Sequence, residues 1–282
     1  MKDTPAPLAG ARVLPGRTAG RGTPRRGLAA GQGAVLLLVS LPLLLFLLVP
    51  LLGLGVRVAP AQLLTNLRSG TVLQAITLSL VTTAFAVAIT LLAGTPVAYL
   101  LARYHFRGSS ALDTLIDLPM VLPPSVAGIA LLVTFGRRGL LGRYLADAGI
   151  ELAFTEAAVV LAQTFVAAPF YIKAAITGFA GVDRDLEQAA RIDGAGTHQA
   201  FRYITLPLAA PALLGGIVMT WARAMGEFGA TIIFAGNFPG RTQTMPLAIY
   251  LGFELDLNVA LTLSVILMGI SFAVLFVVKR IL

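Results

Sequence analysis

Residues 72–102 read VLQAITLSLVTTAFAVAITLLAGTPVAYLLA and contain no aspartate, glutamate, lysine, arginine or histidine. A hydrocarbon core of about 30 Å is crossed by about 20 predominantly apolar residues in a helix. Inside lipid the backbone polar groups must be paired within the segment, which a helix achieves. Apolar and polar residues do not alternate here, as they would in the strands of a membrane barrel. The stretch therefore predicts a transmembrane helix.

Similar apolar blocks recur along the 282 residues, of which 57% are hydrophobic and 12% are charged. Soluble domains are typically about 45–50% apolar and about 25% charged. The predicted fold is an all-α integral membrane protein with six transmembrane helices, at about 33–55, 72–102, 115–135, 157–180, 205–235 and 258–278.

The first 32 residues are rich in glycine, proline and arginine, a composition typical of disordered segments. The first apolar run is too long for a secretory signal, and a tail of about thirty residues precedes it. The sequence therefore predicts a disordered basic tail, residues 1–32, followed by one transmembrane domain, residues 33–282.

The sequence contains no cysteine and only two histidines, His105 and His198. Disulfides and thiolate metal sites are thereby excluded, and no metal site is predicted. A formal charge of +8 would suggest a nucleic-acid partner in a soluble protein. Here we attribute the charge to arginines in loops beside the membrane, so the expected surroundings are a lipid bilayer and not nucleic acid.

The basic residues also predict an orientation. Six spans place both termini on one side, where thirteen lysines and arginines would lie, against six on the other side: Arg57, Arg68, Arg137, Arg138, Arg143 and Arg241. Cationic loops are retained in the cytoplasm, so both termini are expected there. A re-entrant hairpin in place of the third span would invert the orientation of the later spans.

A polar segment, EQAARIDGAGTHQAFRYITLP at residues 187–207, interrupts the apolar pattern between the fourth and fifth spans. Asp183 and Asp185 lie where anions favour the start of a helix. Gly194 and Gly196 permit a sharp turn, because glycine tolerates positive φ.

A second short helix is expected through Phe201, and Pro207 suits the first turn of the fifth span. The small side chains of Ala189 and Ala190 allow another backbone to come close. The segment thus predicts a helix–turn–helix elbow at the cytoplasmic membrane surface, joined to two spans. An ordinary amphipathic surface loop is the alternative that these physical arguments leave open.

The elbow resembles the EAA signature of ABC-importer permeases, whose coupling helix docks into a groove of the ATPase subunit. In that family a glycine is followed thirteen positions later by the proline of Leu-Pro, a spacing that Gly194 and Pro207 reproduce. Ile204 and Leu206 are also in register.

One position departs from the family pattern. The residue directly before Ala189 is Gln188, and the acidic residue lies one step earlier, at Glu187. The resemblance implies a coupling segment at 184–207, with these candidate ATPase-coupling residues: Glu187, Gln188, Ala189, Ala190, Gly194, Ile204, Leu206 and Pro207. At this position an ATPase arginine would meet the amide of Gln188 instead of a carboxylate, which puts the salt bridge of the family in question.

Two further stretches, LPMVLPPSVAGIALL (118–132) and GEFGATIIFAGNFPGRTQTMPLAIY (226–250), are similar to permeases of the molybdate, tungstate and sulfate group. The resemblance implies a homodimeric channel subunit in a bacterial or archaeal cell membrane that imports a tetrahedral oxyanion. Molybdate is favoured, with tungstate and sulfate or thiosulfate as alternatives. The implied partners are an ABC ATPase, which would bind ATP and magnesium, and an extracytoplasmic solute-binding protein.

Proline interrupts the third span, at Pro119, Pro123 and Pro124. Proline breaks helices, and irregular backbone at membrane depth is tolerated where protein or a water-filled cavity covers it. This segment is therefore a candidate pore lining, with Ser125 and Thr134 as possible anion donors. A loop that ends in a helix-starting proline pair is the other interpretation.

Arg223 and Glu227 are the charged pair predicted within the fifth span, and they are four residues apart on one helical face. Charged groups at this depth usually face the protein interior. The pair could line the path at the subunit interface, or it could be a structural ion pair.

Three smaller expectations concern single features. Lys173 is expected to extend to the cytoplasmic interface. Trp221 could be an interface anchor or a core residue. Residues 236–258 are expected to form an outer loop, where Arg241 could meet a binding protein.

The chain is not predicted to be an enzyme or to bind a cofactor. None of its three lysines follows a glycine, as a Walker A loop requires. An intramembrane enzyme would need a catalytic cluster in the spans, and none is visible. An ion-coupled secondary transporter would be expected to show internal repeats, which the sequence lacks.

Overall fold

The computed structural model describes residues 30–281, with side chains described from Val35 to Arg280. Residues 1–29, which belong to the predicted disordered tail, lie outside the described residues. The chain divides into two compact units, Met1–Leu51 and Leu52–Leu282. The described part of the first unit is helical, and the second unit contains residues 52–281 of the described chain.

In the described residues we find thirteen α-helices, one π-helical turn at Phe201–Thr205 and no β-strand. The α-helices are α1 (Ala30–Arg57), α2 (Pro60–Leu67), α3 (Gly70–Arg103), α4 (Ser109–Val121), α5 (Pro124–Phe135), α6 (Gly142–Asp147), α7 (Glu156–Ala180), α8 (Arg184–Ile192), α9 (Thr197–Ala200), α10 (Leu206–Met225), α11 (Gly229–Phe234), α12 (Met245–Leu255) and α13 (Leu257–Ile281).

Five helical stretches are long and apolar enough to cross a membrane, and they coincide with five of the six predicted spans. These stretches are Val35–Arg57, Gly70–Arg103, Glu156–Ala180, Thr197–Met225 and Leu257–Arg280. The 34 residues of α3 extend over about 51 Å at about 1.5 Å per residue. The all-α membrane fold predicted from the sequence is confirmed.

The interruption predicted within the third span, 115–135, is confirmed, because two helices, α4 and α5, occur there with a bend of 115° between them. Pro123 caps α5 in an extended conformation and lacks the N–H that would continue α4. Helix α4 contacts Lys173 in the C-terminal part of α7. Helix α5 packs beside Ala158 and Ala162, which lie in the N-terminal half of α7. The two helices thus contact different halves of α7.

The fifth span ends earlier than predicted: α10 stops at Met225 rather than near residue 235. Gly226 caps its C-terminus, and a separate short helix, α11, begins at Gly229. The backbone N–H of Ala230 donates to the Glu227 carboxylate at 2.8 Å. This hydrogen bond satisfies a free N–H of the new helix, so the chain restarts instead of continuing α10.

The expected outer loop at 236–258 is a second point of difference, since it contains helix α12. Met245 and Leu247 in this helix are fully buried, and the backbone N–H of Met245 donates to the Ser79 hydroxyl at 2.7 Å. The eleven residues of α12 are too few to span a bilayer. The sequence pattern of this segment resembles that of an exposed loop, and its burial against α3 and α13 is seen only in the structure.

The core of the second unit is formed by α3, α7 and α10, which approach closely through small residues. A Cβ at Gly178 would lie 2.7 Å from the Ala212 side chain, and one at Gly216 would lie 2.8 Å from that of Ala174. Small residues allow such close packing of membrane helices, for which lipid supplies no hydrophobic driving force. Trp221 packs partly buried against the cluster containing Met225 and Met245, which favours the core interpretation.

Candidate functional site

The predicted elbow is a helix–turn–helix unit, and we use "the elbow" for residues 184–207. Asp183 caps α8, because its carboxylate accepts a hydrogen bond from the backbone N–H of Asp185 at 3.0 Å. Gly194 makes the turn in the left-handed region, with φ of +93°. Gly196 has φ of −68° instead and precedes α9 in an extended conformation. Positive φ is therefore needed at Gly194 and not at Gly196.

A π-helical turn connects α9 to α10 without a gap. The wide turn has a local cause in Pro207, whose ring collides with the carbonyl four residues earlier and which has no N–H to donate. Leu206 donates its N–H to the carbonyl of Phe201, five residues before it. The elbow and α10 therefore form one continuous helical path.

A buried charge network attaches the elbow to the end of α3. Arg103 donates from Nη2 to Oε1 of Glu187 at 2.7 Å and from Nη1 to the carbonyl of Val182 at 3.0 Å. Thr205 donates its hydroxyl to the same carboxylate oxygen at 2.5 Å. Glu187 thus joins α3, α8 and the π-helical turn.

Arg103 and Thr205 were not among the candidate residues of the sequence analysis. The available signal was an arginine at the end of the apolar run 72–102, followed much later by an acid in a polar segment. Charge alone does not identify its partner. Only the packing of α8 against the C-terminal end of α3 brings the two groups together.

An aromatic cluster lies behind this charge network. The ring of Tyr99 meets those of Phe179 and Phe201 edge to face, with centroids 5.5 and 5.2 Å apart. Such pairs contribute roughly 0.5–1.5 kcal/mol each beyond the burial of area. The cluster therefore helps to fix the elbow on α3 and α7.

The other face of the elbow is exposed and partly apolar. Ile192 is 86% exposed and Tyr203 is 71% exposed. Gln188, Ala189 and Gly194 are also exposed. Of the remaining candidates, Glu187 is buried, Ala190 and Ile204 are half-buried, and Leu206 and Pro207 are exposed. The acid therefore points into the protein, whereas the amide of Gln188 lies at the surface.

The two interruptions of the apolar helices meet inside the second unit. A Cβ at Gly229 would lie 2.8 Å from the Pro124 side chain, and one at Gly128 would lie 2.8 Å from the Ala230 carbonyl oxygen. Glycine is required at both positions for α5 and α11 to pack this closely. The proline break and the Gly-Glu-Phe-Gly segment are thus parts of one structure.

The predicted pore residues differ in their exposure and in whether their hydroxyl groups are free to donate a hydrogen bond. Ser125 is exposed, and so are Pro123 and Pro124 beside it, while Pro119 lies half-buried within α4. Thr134 donates its hydroxyl to the Ala130 carbonyl at 2.8 Å. Its hydrogen atom is therefore engaged within α5, which leaves Ser125 as the better hydrogen-bond donor of the two.

Arg223 and Glu227 form an ion pair, with Nη1 and Oε2 2.5 Å apart. Glu227 is 1% exposed and lies beyond the end of α10 rather than on its helical face. The other carboxylate oxygen accepts from Ala230. The pair therefore joins α10 to α11.

The position expected for Lys173, at the cytoplasmic interface, stays a prediction, and the structure pairs its side chain with two carboxylates. Its Nζ lies 2.6 Å from Asp113 and 2.9 Å from Asp117. Two carboxylates on successive turns of α4 thus pair with one ammonium on α7. This arrangement attaches α4 to the core.

These features define the membrane subunit of a transport system: apolar crossings, two broken helices packed together, and an elbow continuous with one crossing. Residues 94–282 match the family described as "Binding-protein-dependent transport system inner membrane component". The chain belongs to this family and is a multi-pass membrane protein.

Two curated relatives show the likeness in sequence. The molybdenum transport system permease protein ModB of Mycobacterium tuberculosis (strain H37Rv) is 41% identical over 228 residues, 81% of this chain and 86% of the relative. The protein of the same name from Escherichia coli (strain K12) is 47% identical over 178 residues, 63% of this chain and 78% of the relative.

The fold also has counterparts among solved structures. A bacterial ABC transporter involved in the import of the acidic polysaccharide alginate superposes with a TM-score of 0.68 at 18% identity. The match covers 88% of this chain and 93% of that chain. This likeness establishes the fold of an ABC-transporter membrane subunit.

Proposed function

We propose that this chain is the channel subunit of an ATP-driven importer of tetrahedral oxyanions, with molybdate as the substrate. The substrate assignment is supported by relatives named as molybdenum transport permeases, at 41% and 47% identity. Tetrahedral oxyanions such as tungstate and sulfate share the same charge and shape, so they are the competitors against which the substrate has to be tested.

The observation that carries the proposal is the attachment of the elbow at both ends. Arg103 and Glu187 hold α8 on α3, and the π-helical turn continues into α10. A surface loop without a mechanical role would not need a buried ion pair, which costs desolvation of both charges. The elbow is therefore suited to transmit the motion of a partner into the crossings.

The proposed partner at the elbow is a separate ABC ATPase, which would bind ATP and magnesium. Ile192, two residues before Gly194, and Tyr203, in the π-helical turn, are exposed, and apolar anchors surrounded by polar residues are typical of docking sites. The buried Glu187 is not available to an ATPase arginine. The exposed Gln188 would offer a neutral hydrogen bond there instead.

The remaining parts of the assembly follow from the family. Two copies of the chain would frame one pore, with a solute-binding protein on the outer side and both termini in the cytoplasm. Closure of the ATPase dimer would move the two elbows together, so that the pore exchanges between inward-facing and outward-facing states. Energy would therefore enter only through the elbow.

Within the crossings, the packed breaks at Pro124 and Gly229 are the proposed boundary of the translocation path. Ser125 supplies a hydroxyl there. We assign Arg223 a structural role, because its pairing with Glu227 neutralises the cation. A free arginine would retain an oxyanion, whereas a paired one allows the anion to pass.

Reconstitution of the full chain with its ATPase and binding protein in proteoliposomes tests the proposal. Molybdate-loaded binding protein should stimulate ATP hydrolysis and drive accumulation of molybdate inside, and sulfate-loaded protein should not. Stimulation by sulfate alone would transfer the assignment to sulfate. Accumulation by the chain without an ATPase would overturn the coupling mechanism in favour of a secondary transporter.

A further inference from the structure

A cavity of about 220 Å³ lies between the end of α3 and the elbow. Four of its lining residues lie on one face of α8, at a spacing of three or four: Arg184, Glu187, Gln188 and Arg191. The end of α3 supplies the others: Tyr99, Arg103 and Tyr104. The cavity is therefore walled by two elements that the Arg103–Glu187 ion pair joins.

The lining carries an excess of positive charge. It contains three arginines and one carboxylate, and that carboxylate, Glu187, is already paired with Arg103. Arg184 donates from Nη2 to the Arg103 carbonyl at 3.0 Å. Among the side chains described, from Val35 to Arg280, Arg191 has no ion-pair or side-chain hydrogen-bond partner. Two cations thus face the cavity without a compensating anion.

One buried donor group in the wall of the cavity also lacks a hydrogen-bond partner in the described part of the chain. Only 6% of the Arg103 side chain is exposed. Its Nε is buried and has no hydrogen-bond partner among the described residues. Buried polar groups in proteins are nearly always hydrogen-bonded, and an exception calls for an explanation such as an unseen water or ion. Tyr99, Tyr104 and Gln188 add hydroxyl and amide donors to the same wall.

We propose that this cavity is a binding site for a tetrahedral oxyanion of the phosphate type. Guanidinium groups bind such oxyanions with charge-assisted hydrogen bonds that are often bidentate, and two or more of them here converge on one cavity. The anion comes either from the adjoining aqueous phase, as a free ion, or from a phospholipid headgroup at the membrane surface.

Occupancy would connect the two walls of the cavity. Arg191 on α8 and the Arg103 region of α3 would share one anion, and its charge would offset the excess of the arginines. The bound anion would therefore hold the elbow on α3 more firmly than the Glu187 ion pair does alone. This site belongs to the permease chain itself and is distinct from the proposed translocation path, and at Gln188 it adjoins the proposed ATPase contact.

The test uses the full-length chain in neutral detergent, titrated at constant ionic strength against chloride. One arm adds inorganic phosphate or molybdate, and the other adds phosphatidylglycerol compared with phosphatidylcholine. The thermal unfolding midpoint reports binding, because a ligand of the folded state raises it with concentration. The variant is Arg191→Gln, and its matched control is Arg202→Gln, which removes an exposed arginine of the elbow outside the cavity.

We expect one arm to stabilise the unaltered chain, and its half-maximal concentration to rise roughly tenfold to a hundredfold in Arg191→Gln. Arg202→Gln should titrate like the unaltered chain. A response to phosphate or molybdate identifies a free anion, and a response to phosphatidylglycerol alone identifies a headgroup. The proposal is overturned if neither arm raises the midpoint, or if both variants respond as the unaltered chain does. Because no ATPase is present, the result is independent of the transport assignment.

Discussion

The ion pair between Arg103 and Glu187 allows the strongest test of the elbow's attachment. Only 6% and 12% of the two side chains are exposed, and their nearest atoms are 2.7 Å apart. Glu187→Met or Arg103→Met alone would leave the other charge buried without its partner, whereas replacing both residues by methionine would remove both charges. Either single substitution should therefore lower the free energy of unfolding more than the double substitution does.

The magnitude follows from the burial of the pair. Breaking a buried ion pair typically costs about 3–5 kcal/mol, and Arg103 retains the Val182 carbonyl as an acceptor. We therefore expect the lower end, about 3 kcal/mol, which corresponds to a fall of about 6–12 °C in unfolding midpoint for a chain of this size. The double variant should recover most of this loss, apart from about 1 kcal/mol for the Thr205 hydrogen bond.

The assay is a double-mutant cycle on the purified chain, read by thermal unfolding in detergent, together with uptake per ATP hydrolysed in the reconstituted importer. Both single variants should lower the midpoint and the uptake per ATP. The double variant should regain stability but not the fixed geometry of the elbow. A double variant as unstable as the sum of its singles would show that the two charges do not interact, and the reasoning would fail.

Three other substitutions separate turn geometry, helix packing and partner contact. Gly194→Val strains a residue at φ of +93° by roughly 1–3 kcal/mol, so ATP hydrolysis should continue while molybdate uptake falls; normal uptake would contradict the elbow mechanism. Gly128→Ala places a methyl group 2.8 Å from the Ala230 carbonyl oxygen and should lower the unfolding midpoint, whereas Gly215→Ala, with no atom within 4 Å, should not. Ile192→Ser should weaken ATPase co-purification at unchanged midpoint, and undiminished co-purification would exclude Ile192 from the interface.

Much of the elbow could be predicted because its determinants are local. Asp183, Gly194 and Pro207 each act through their own backbone: a cap, a positive φ and a missing N–H. Such effects extend over a few residues, so the order of residues shows them directly. The predicted helix, turn and second helix accordingly all occur in the structure.

The interruptions of the apolar helices could be predicted only in part. Pro123 and Pro124 indicated an interruption in the third span, but the angle of 115° depends on what α4 and α5 pack against. Residues 226–250 are apolar enough to read as the end of a span and then a loop. Burial of α12 and the close approach of Gly229 to Pro124 are contacts between distant segments, and no local pattern specifies them.

The sequence by itself determined that this is a helical membrane protein with a polar elbow late in the chain, because hydrophobic length and proline or glycine positions act locally. The tertiary structure alone decided that Glu187 faces Arg103 rather than a partner, and that three arginines surround one cavity. Those relations join residues more than eighty positions apart, and a charge acquires its role only from the group that folding places beside it.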